Sequence, residues 1–185
     1  MTLAEAAPVR LRVPARTLVL VAGLPGAGKS TLLGTLRPDP TIVVLDSEQV
    51  RDRLAARLPA AAPYPGYRWA VHLLHRSAVV RAALTGPETV VVHLPATGER
   101  VRAAVLALAR WSGREAHLLW VHAEPSEALA GQHVRGRVVR PTAFSGHAVL
   151  AGEVAASLRR GPPPGWASAR VVDRACARRG LALDK

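Results

Sequence analysis

Two groups of residues in this 185-residue chain have the types and spacing that phosphate chemistry needs. The first is Gly23-Leu24-Pro25-Gly26-Ala27-Gly28-Lys29-Ser30, with Thr31 directly after it. Glycines at these intervals let the backbone curl with its N–H groups turned inward, where they cradle phosphate oxygens. A lysine following the last glycine can reach β- and γ-phosphates, and the serine hydroxyl can ligate Mg²⁺. A helix beginning at Lys29 would add partial positive charge behind the loop. The bland alternative is an ordinary glycine turn. Against it stand the apolar, β-branched run 17–22 before the loop and the helical pattern after it. The stretch reads as a nucleoside triphosphate site. No Asn/Thr-Lys-x-Asp guanine-reading motif is visible, so ATP is the expected nucleotide.

The second group is Asp46, Glu48 and Arg51, which follow the apolar run 41–45. A carboxylate there can take the proton of an acceptor hydroxyl, or orient it, opposite a γ-phosphate. Arg51 lies one helical turn beyond Glu48 and can pair with it or clamp an anionic acceptor. The plainer reading makes Glu48 a first-turn acid favourable to the helix dipole, with Arg51 as its surface partner. Arg135, Arg137 and Arg140 form a cluster that is either a solvated basic turn or a set of charges closing over bound nucleotide. Arg137 is the best single choice for that closing role. His93 lies near the end of the run 89–94 and Thr97 follows it, at a strand end where a metal-holding aspartate is common and none is present. His93 is therefore either a substrate contact or a satisfied polar group, and the metal role passes to Ser30 and Asp46. His122, His133 and His147 show no metal-site spacing, and Trp111, Trp120 and Trp166 are expected in the core.

Positioning these groups requires strands that alternate with helices. Strands are expected over 17–22, 41–45, 89–94, 117–122 and 169–172. Helices are expected over 29–36, 48–58 (capped by Ser47), 67–84, 98–111, from about 125, and 142–159. Trp69, Leu73, Leu74 and Val80 are the expected buried side of the helix 67–84. Such alternation implies βαβ crossovers and a parallel sheet. Ligands then bind beyond the carboxyl ends of the strands, which gathers the glycine loop, residues 46–48 and residues 93–97 into one cleft. Residues 1–16 read as a flexible lead-in, 17–172 as the domain with a lid over about 132–141, and 173–185 as a basic tail that could be helical.

Composition bounds the rest. The net charge of +12 would attract anions, and a nucleic-acid surface is one reading of it. Yet lysine occurs only at 29 and 185, Ile42 is the sole isoleucine and asparagine is absent, a profile that also fits a GC-rich genome. With a single cysteine, Cys176, there is no disulfide framework, and a reducing cytoplasm is expected. No uninterrupted apolar stretch suggests a secretory signal or a membrane span.

The chain resembles the small P-loop kinase-like proteins known as AAA family ATPases, which are similar to polynucleotide 5′-hydroxyl kinases, zeta toxins and chloramphenicol phosphotransferase. The likeness spans about Leu18 to Phe144. It rests on Gly-Leu-Pro-Gly-Ala-Gly-Lys-Ser-Thr (23–31), Leu-Asp-Ser-Glu-Gln-Val-Arg (45–51) and Gly-Gln-His-Val-Arg-Gly-Arg-Val-Val (131–139). It implies an α/β, three-layer P-loop NTPase fold, with a parallel sheet of about five strands flanked by helices and a short arginine-bearing lid. Members carry a Ser-Asp-x-(Ile/Val)-Arg pattern whose aspartate acts on the acceptor hydroxyl. Glu48 and Arg51 match its acidic and arginine positions, with Glu replacing Asp. Arg135 and Arg137 match nucleotide-clamping arginines, while the aspartate usual after strand three is missing. The implied activity is Mg²⁺-dependent transfer of the ATP γ-phosphate to a small-molecule or 5′-hydroxyl nucleic-acid acceptor. The rival is a nucleotide-dependent binding module with little kinase activity.

Overall fold

The computed structural model describes residues 7–59, 61–134 and 141–184, without the side chains of 134 and 141–143. In chain order the elements are β1 (Val9–Arg12), β2 (Thr17–Gly23), α1 (Lys29–Leu33), β3 (Ile42–Asp46), α2 (Ser47–Ala55), α3 (Tyr64–Thr85) and β4 (Thr89–His93). There follow α4 (Glu99–Trp111), β5 (Glu115–Val121), α5 (Pro125–Val134), α6 (Pro141–Arg159), β6 (Ser168–Val172), α7 (Arg174–Arg179) and β7 (Leu181–Asp184). Five strands form one parallel sheet in the order β3-β4-β2-β5-β6, flanked by helices, as in P-loop NTPases.

The centre of the sheet is β2, buried along its whole length between β4 and β5. Its unbroken apolar run suits a strand covered on both faces. Around it the core is built mainly from Val, Leu and Ala, with Trp120 and Trp166 also buried. Trp111 corrects the expectation of a third core indole: at the last position of α4 it is 73% exposed.

The face of α3 is a second correction. Its buried stripe is Val71, His75, Val79 and Ala83, spaced by four, whereas Trp69 is 66% exposed and Leu73, Leu74 and Val80 are exposed as well. Apolar residues surround this helix, so hydrophobicity alone does not select a face. The stripe against β3 and β4 is made of the smaller side chains and one histidine.

Residues 9–12 and 174–184 carry elements beyond the expected strands. β1 lies parallel to β7, pairing Val9 with Leu181 through Arg12 with Asp184, so residues 9–12 are not frayed. The C-terminal stretch holds α7 as well as β7. In β1 the buried positions alternate, with Val9 and Leu11 inward and Arg10 and Arg12 outward. That period-2 pattern was too short to stand out among the surrounding prolines and arginines.

Arg114, in the turn before β5, is buried and closes the carboxyl end of α3. Its guanidinium donates to the carbonyls of Ala83 (2.6 Å), Glu88 (2.8 Å), Pro87 (2.9 Å) and Gly86 (3.1 Å). These acceptors include last-turn carbonyls that a helix cannot satisfy itself, and the cation faces the negative end of the helix dipole. Arg114→Met should leave them buried without donors and lower unfolding stability by about 3 kcal/mol. Urea denaturation checks this; a change below about 0.5 kcal/mol would show that the arginine is not a structural staple.

Candidate active site

The registers of β2, β3 and β4 place Val21 and Asp46 on either side of His93, so three strand ends meet at one edge of the sheet. Beyond that edge lies a cavity of about 210 Å³. Pro25, Gly26, Gly28, Lys29 and Ser30 contribute the loop wall. Asp46, Ser47, Glu48 and Arg51 come from β3 and α2, His93 and Pro95 from the end of β4, Tyr64 from α3 and Gln132 from α5. The cleft expected from the order of strands and helices therefore exists, and it holds most of the singled-out residues.

The loop keeps its shape through close backbone approaches. Gly23 and Gly26 adopt φ of +138° and +88°, and a Cβ at either would overlap the carbonyl of Val121 or Ala128. Only glycine accommodates both demands. The Gly23 N–H donates to Pro95 O (3.1 Å), the Ala27 N–H to Leu24 O (3.1 Å), and Gln132 Nε2 to Pro25 O (3.1 Å). Leu24 and Ala27 are buried in the core and shape the loop without lining the cavity. Lys29 is only 5% exposed, and its ammonium donates to the carbonyls of Gly23 (2.9 Å) and Leu24 (2.7 Å). Behind it, α1 is five residues long rather than eight, because it tightens into i→i+3 bonds at Thr35 and Leu36. So short a helix sums few peptide dipoles, which leaves the loop amides and the ammonium as the main attraction for phosphate.

Ser30 Oγ is buried and has no hydrogen-bond partner among the described residues. An orphaned hydroxyl is costly unless something completes it, and a divalent cation would do so. Among the described residues no group of three or more His, Cys, Asp or Glu side chains could hold a metal. Ser30 Oγ and the Asp46 carboxylate, both lining the cavity, are oxygen donors of the kind that Mg²⁺ takes in small number beside waters and phosphate oxygens.

Asp46 is engaged twice over. Oδ1 accepts the Glu48 N–H (2.9 Å) and caps α2, so the cap is the last residue of β3 and not Ser47. Oδ2 stands 2.8 Å from His93 Nδ1, at ion-pair distance although off ideal hydrogen-bond geometry. Burial alone would raise the carboxyl's pKa. The contact with His93, its charge and the Glu48 N–H together outweigh burial and hold the carboxyl below its ordinary value. Glu48 Oε1 lies 3.7 Å from Arg51 Nη2, one turn along as expected. Arg51 binds Asp52 Oδ1 more closely, through Nη2 (2.7 Å) and Nε (3.0 Å).

Several lining residues had no assigned role in the sequence reading. Tyr64 starts α3 where a connector was expected, and Gln132 ties α5 to the loop. On the other side of Gly26 and Gly28 a second cavity, of about 140 Å³, is lined by Thr31, Arg174 and Arg178 among others. The signal for those two arginines was their place just after the last sheet strand, at the carboxyl edge. Arg135, Arg137 and Arg140 lie outside the described residues, as does most of the expected lid.

A family model described as an AAA domain matches residues 18–153. The chain belongs to that family. This AAA domain also has the fold of several solved structures, all at low identity. It is similar to a structure of the PezAT chromosomal toxin-antitoxin system of Streptococcus pneumoniae (TM-score 0.64, 15% identity, 90% of this chain and 70% of that one). It is similar to a candidate kinase from Chloroflexus aurantiacus (TM-score 0.60, 14% identity, 86% and 89%). A chain of the Pnkp1/Rnl/Hen1 RNA repair complex matches with TM-score 0.59 and 15% identity, over 77% of this chain and 46% of that one. No curated protein sequence matches this AAA domain. Among the described residues no helix is long and apolar enough to cross a membrane.

His75 of α3 lies beneath this site, buried, with neither ring nitrogen in normal hydrogen-bond geometry. Burial pushes its pKa below the usual 6.5; the charge of Asp46 opposes this and that of His93 adds to it. The unfolded chain therefore takes up a proton below pH 6.5 that the folded chain refuses, and stability falls as pH drops through that window. His75→Leu should flatten the fall between pH 7.5 and 5 in urea titrations, leaving the share due to His72 and His117, which are shifted the same way. An unchanged slope would mean that His75 takes up its proton as readily in the folded chain as in the unfolded one.

Proposed function

We propose that this AAA domain is an ATP-binding phosphotransferase that moves the γ-phosphoryl group to a hydroxyl of an acceptor. One observation supports it above the others: a single cavity is lined both by the loop residues Gly26, Gly28, Lys29 and Ser30 and by Asp46, Glu48 and Arg51. In the proposed reaction the acceptor oxygen forms a bond to the γ-phosphorus, the bond from that phosphorus to the β–γ bridging oxygen breaks, and ADP leaves. The acceptor proton goes to a carboxylate, and Glu48 is favoured because Asp46 already accepts from the Glu48 N–H and faces His93. The loop amides and Thr31 would hold the nucleotide, and Lys29 would exchange its two carbonyls for phosphate oxygens. Arg51 would orient the acceptor beside Glu48, with His93 steadying Asp46. Mg²⁺ bound at Ser30 and Asp46 would neutralise the charge of the β- and γ-phosphates. Arg135 and Arg137 are proposed to close over the nucleotide, and the cytoplasm is the proposed place of action.

A second reading is a regulatory ATPase or nucleotide-dependent binding module with little transfer activity. What favours it is that β4 ends in His93 and carries no carboxylate there.

Glu48→Gln separates the two. With γ-labelled ATP and a panel of hydroxyl acceptors, transfer should fall by about a hundredfold or more while ATP affinity stays unchanged. Full transfer by the variant would remove Glu48 from the acceptor role.

A further inference from the structure

We infer that the acceptor is a ring-bearing alcohol without anionic groups, held against Tyr64 with its hydroxyl toward Glu48. This rests on the phosphotransferase reading and narrows it. The chain has two tyrosines, and both are at the acceptor end of the site. Tyr64 lines the main cavity and, with Arg51, Asp52, Ala55 and Tyr67, an adjoining recess. The two rings meet edge to face, with centroids 5.4 Å apart and planes at 85°. That contact fixes the Tyr64 ring at the cavity rim and offers a flat, partly exposed surface for a second ring.

The local charge selects among rings. Among the described residues lining these two spaces, the carboxylates of Asp46, Glu48 and Asp52 outnumber the cations Lys29 and Arg51, with His93 beside Asp46. Arg51 is held by Asp52 and lies near Glu48, so its charge is offset where it stands. A guanidinium braced in this way presents a planar face for stacking more readily than a free charge for an anion. The net charge of +12 is thus reversed in sign at the place where the acceptor would sit. A phosphate-bearing acceptor beside Tyr64 would bring its charge against Glu48 and Asp52, which already occupy the nearby guanidinium of Arg51. An uncharged ring meets no such opposition.

The test uses the full chain labelled with 3-fluorotyrosine, which gives one ¹⁹F resonance for each tyrosine, with Tyr64→Leu to assign them. The protein is first saturated with a non-hydrolysable ATP analogue and Mg²⁺, then titrated with uridine, phenyl β-glucoside and uridine 3′-monophosphate. Uridine and its 3′-monophosphate share a ring and a 5′-hydroxyl and differ by the anion. The Tyr64 resonance should move with uridine and with phenyl β-glucoside, while uridine 3′-monophosphate binds more weakly. Tyr64→Leu should weaken uridine binding by about tenfold and leave the ATP analogue's affinity unchanged. The inference is overturned if the monophosphate binds as tightly as uridine, or if neither uncharged compound moves the Tyr64 resonance while the analogue binds. Failure of the analogue itself to bind would instead bring down the phosphotransferase reading.

Discussion

The ammonium of Lys29, folded back onto the carbonyls of Gly23 and Leu24, is the interaction on which the site depends. A buried cation is costly unless it is paired or hydrogen-bonded, and here the loop's own backbone supplies acceptors. The result is a loop shaped before any ligand arrives, its curl set by Gly23 and Gly26 and its outer side tied by Gln132 and Pro95. Binding a polyphosphate then requires an exchange of partners more than a rearrangement. The lysine would give up two carbonyl acceptors for charged phosphate oxygens, which make stronger hydrogen bonds.

The sheet does the rest of the positioning. Because β4 sits between β2 and β3, the last residues of β3 and β4 face each other, and Asp46 meets His93 as a consequence of register. Asp46 links three things at once: it ends β3, caps α2 and contacts His93. Glu48 and Arg51 inherit their placement from that cap, since α2 starts where Asp46 holds it. Small shifts in the β3–β4 pairing would therefore move every acidic group of the cavity together.

Much of this was legible in the amino-acid order, and the parts that were not have identifiable causes. β2, β3 and β4 stand out because each is built on a continuous apolar run, and the glycine loop because it has a fixed residue spacing. β1 and β7 did not, because four-residue strands gain their stability only by pairing across the length of the chain. Tyr64 lies before the expected helix start at 67, beside Pro63 and Pro65, while in the fold Pro65 occupies the first turn of α3, where a missing N–H costs nothing. The buried face of α3 is not legible because its bulkiest apolar side chains point outward and the helix packs on Val71, Val79 and Ala83. Arg174 and Arg178 line the second cavity beside Gly26 and Gly28, and their only sequence signal is their place just after β6.

In the proposed function, residues 23–30 grip a polyphosphate and Lys29 is the group that changes partners. Calorimetric titration of Mg²⁺·ATP into the full chain and into Lys29→Ala tests it most directly. Saturable one-site binding is expected for the parent chain, with a loss of about a hundredfold or more in the variant, the size expected for charge-assisted hydrogen bonds. Equal affinity in the two proteins, or no binding by the parent chain, would contradict it.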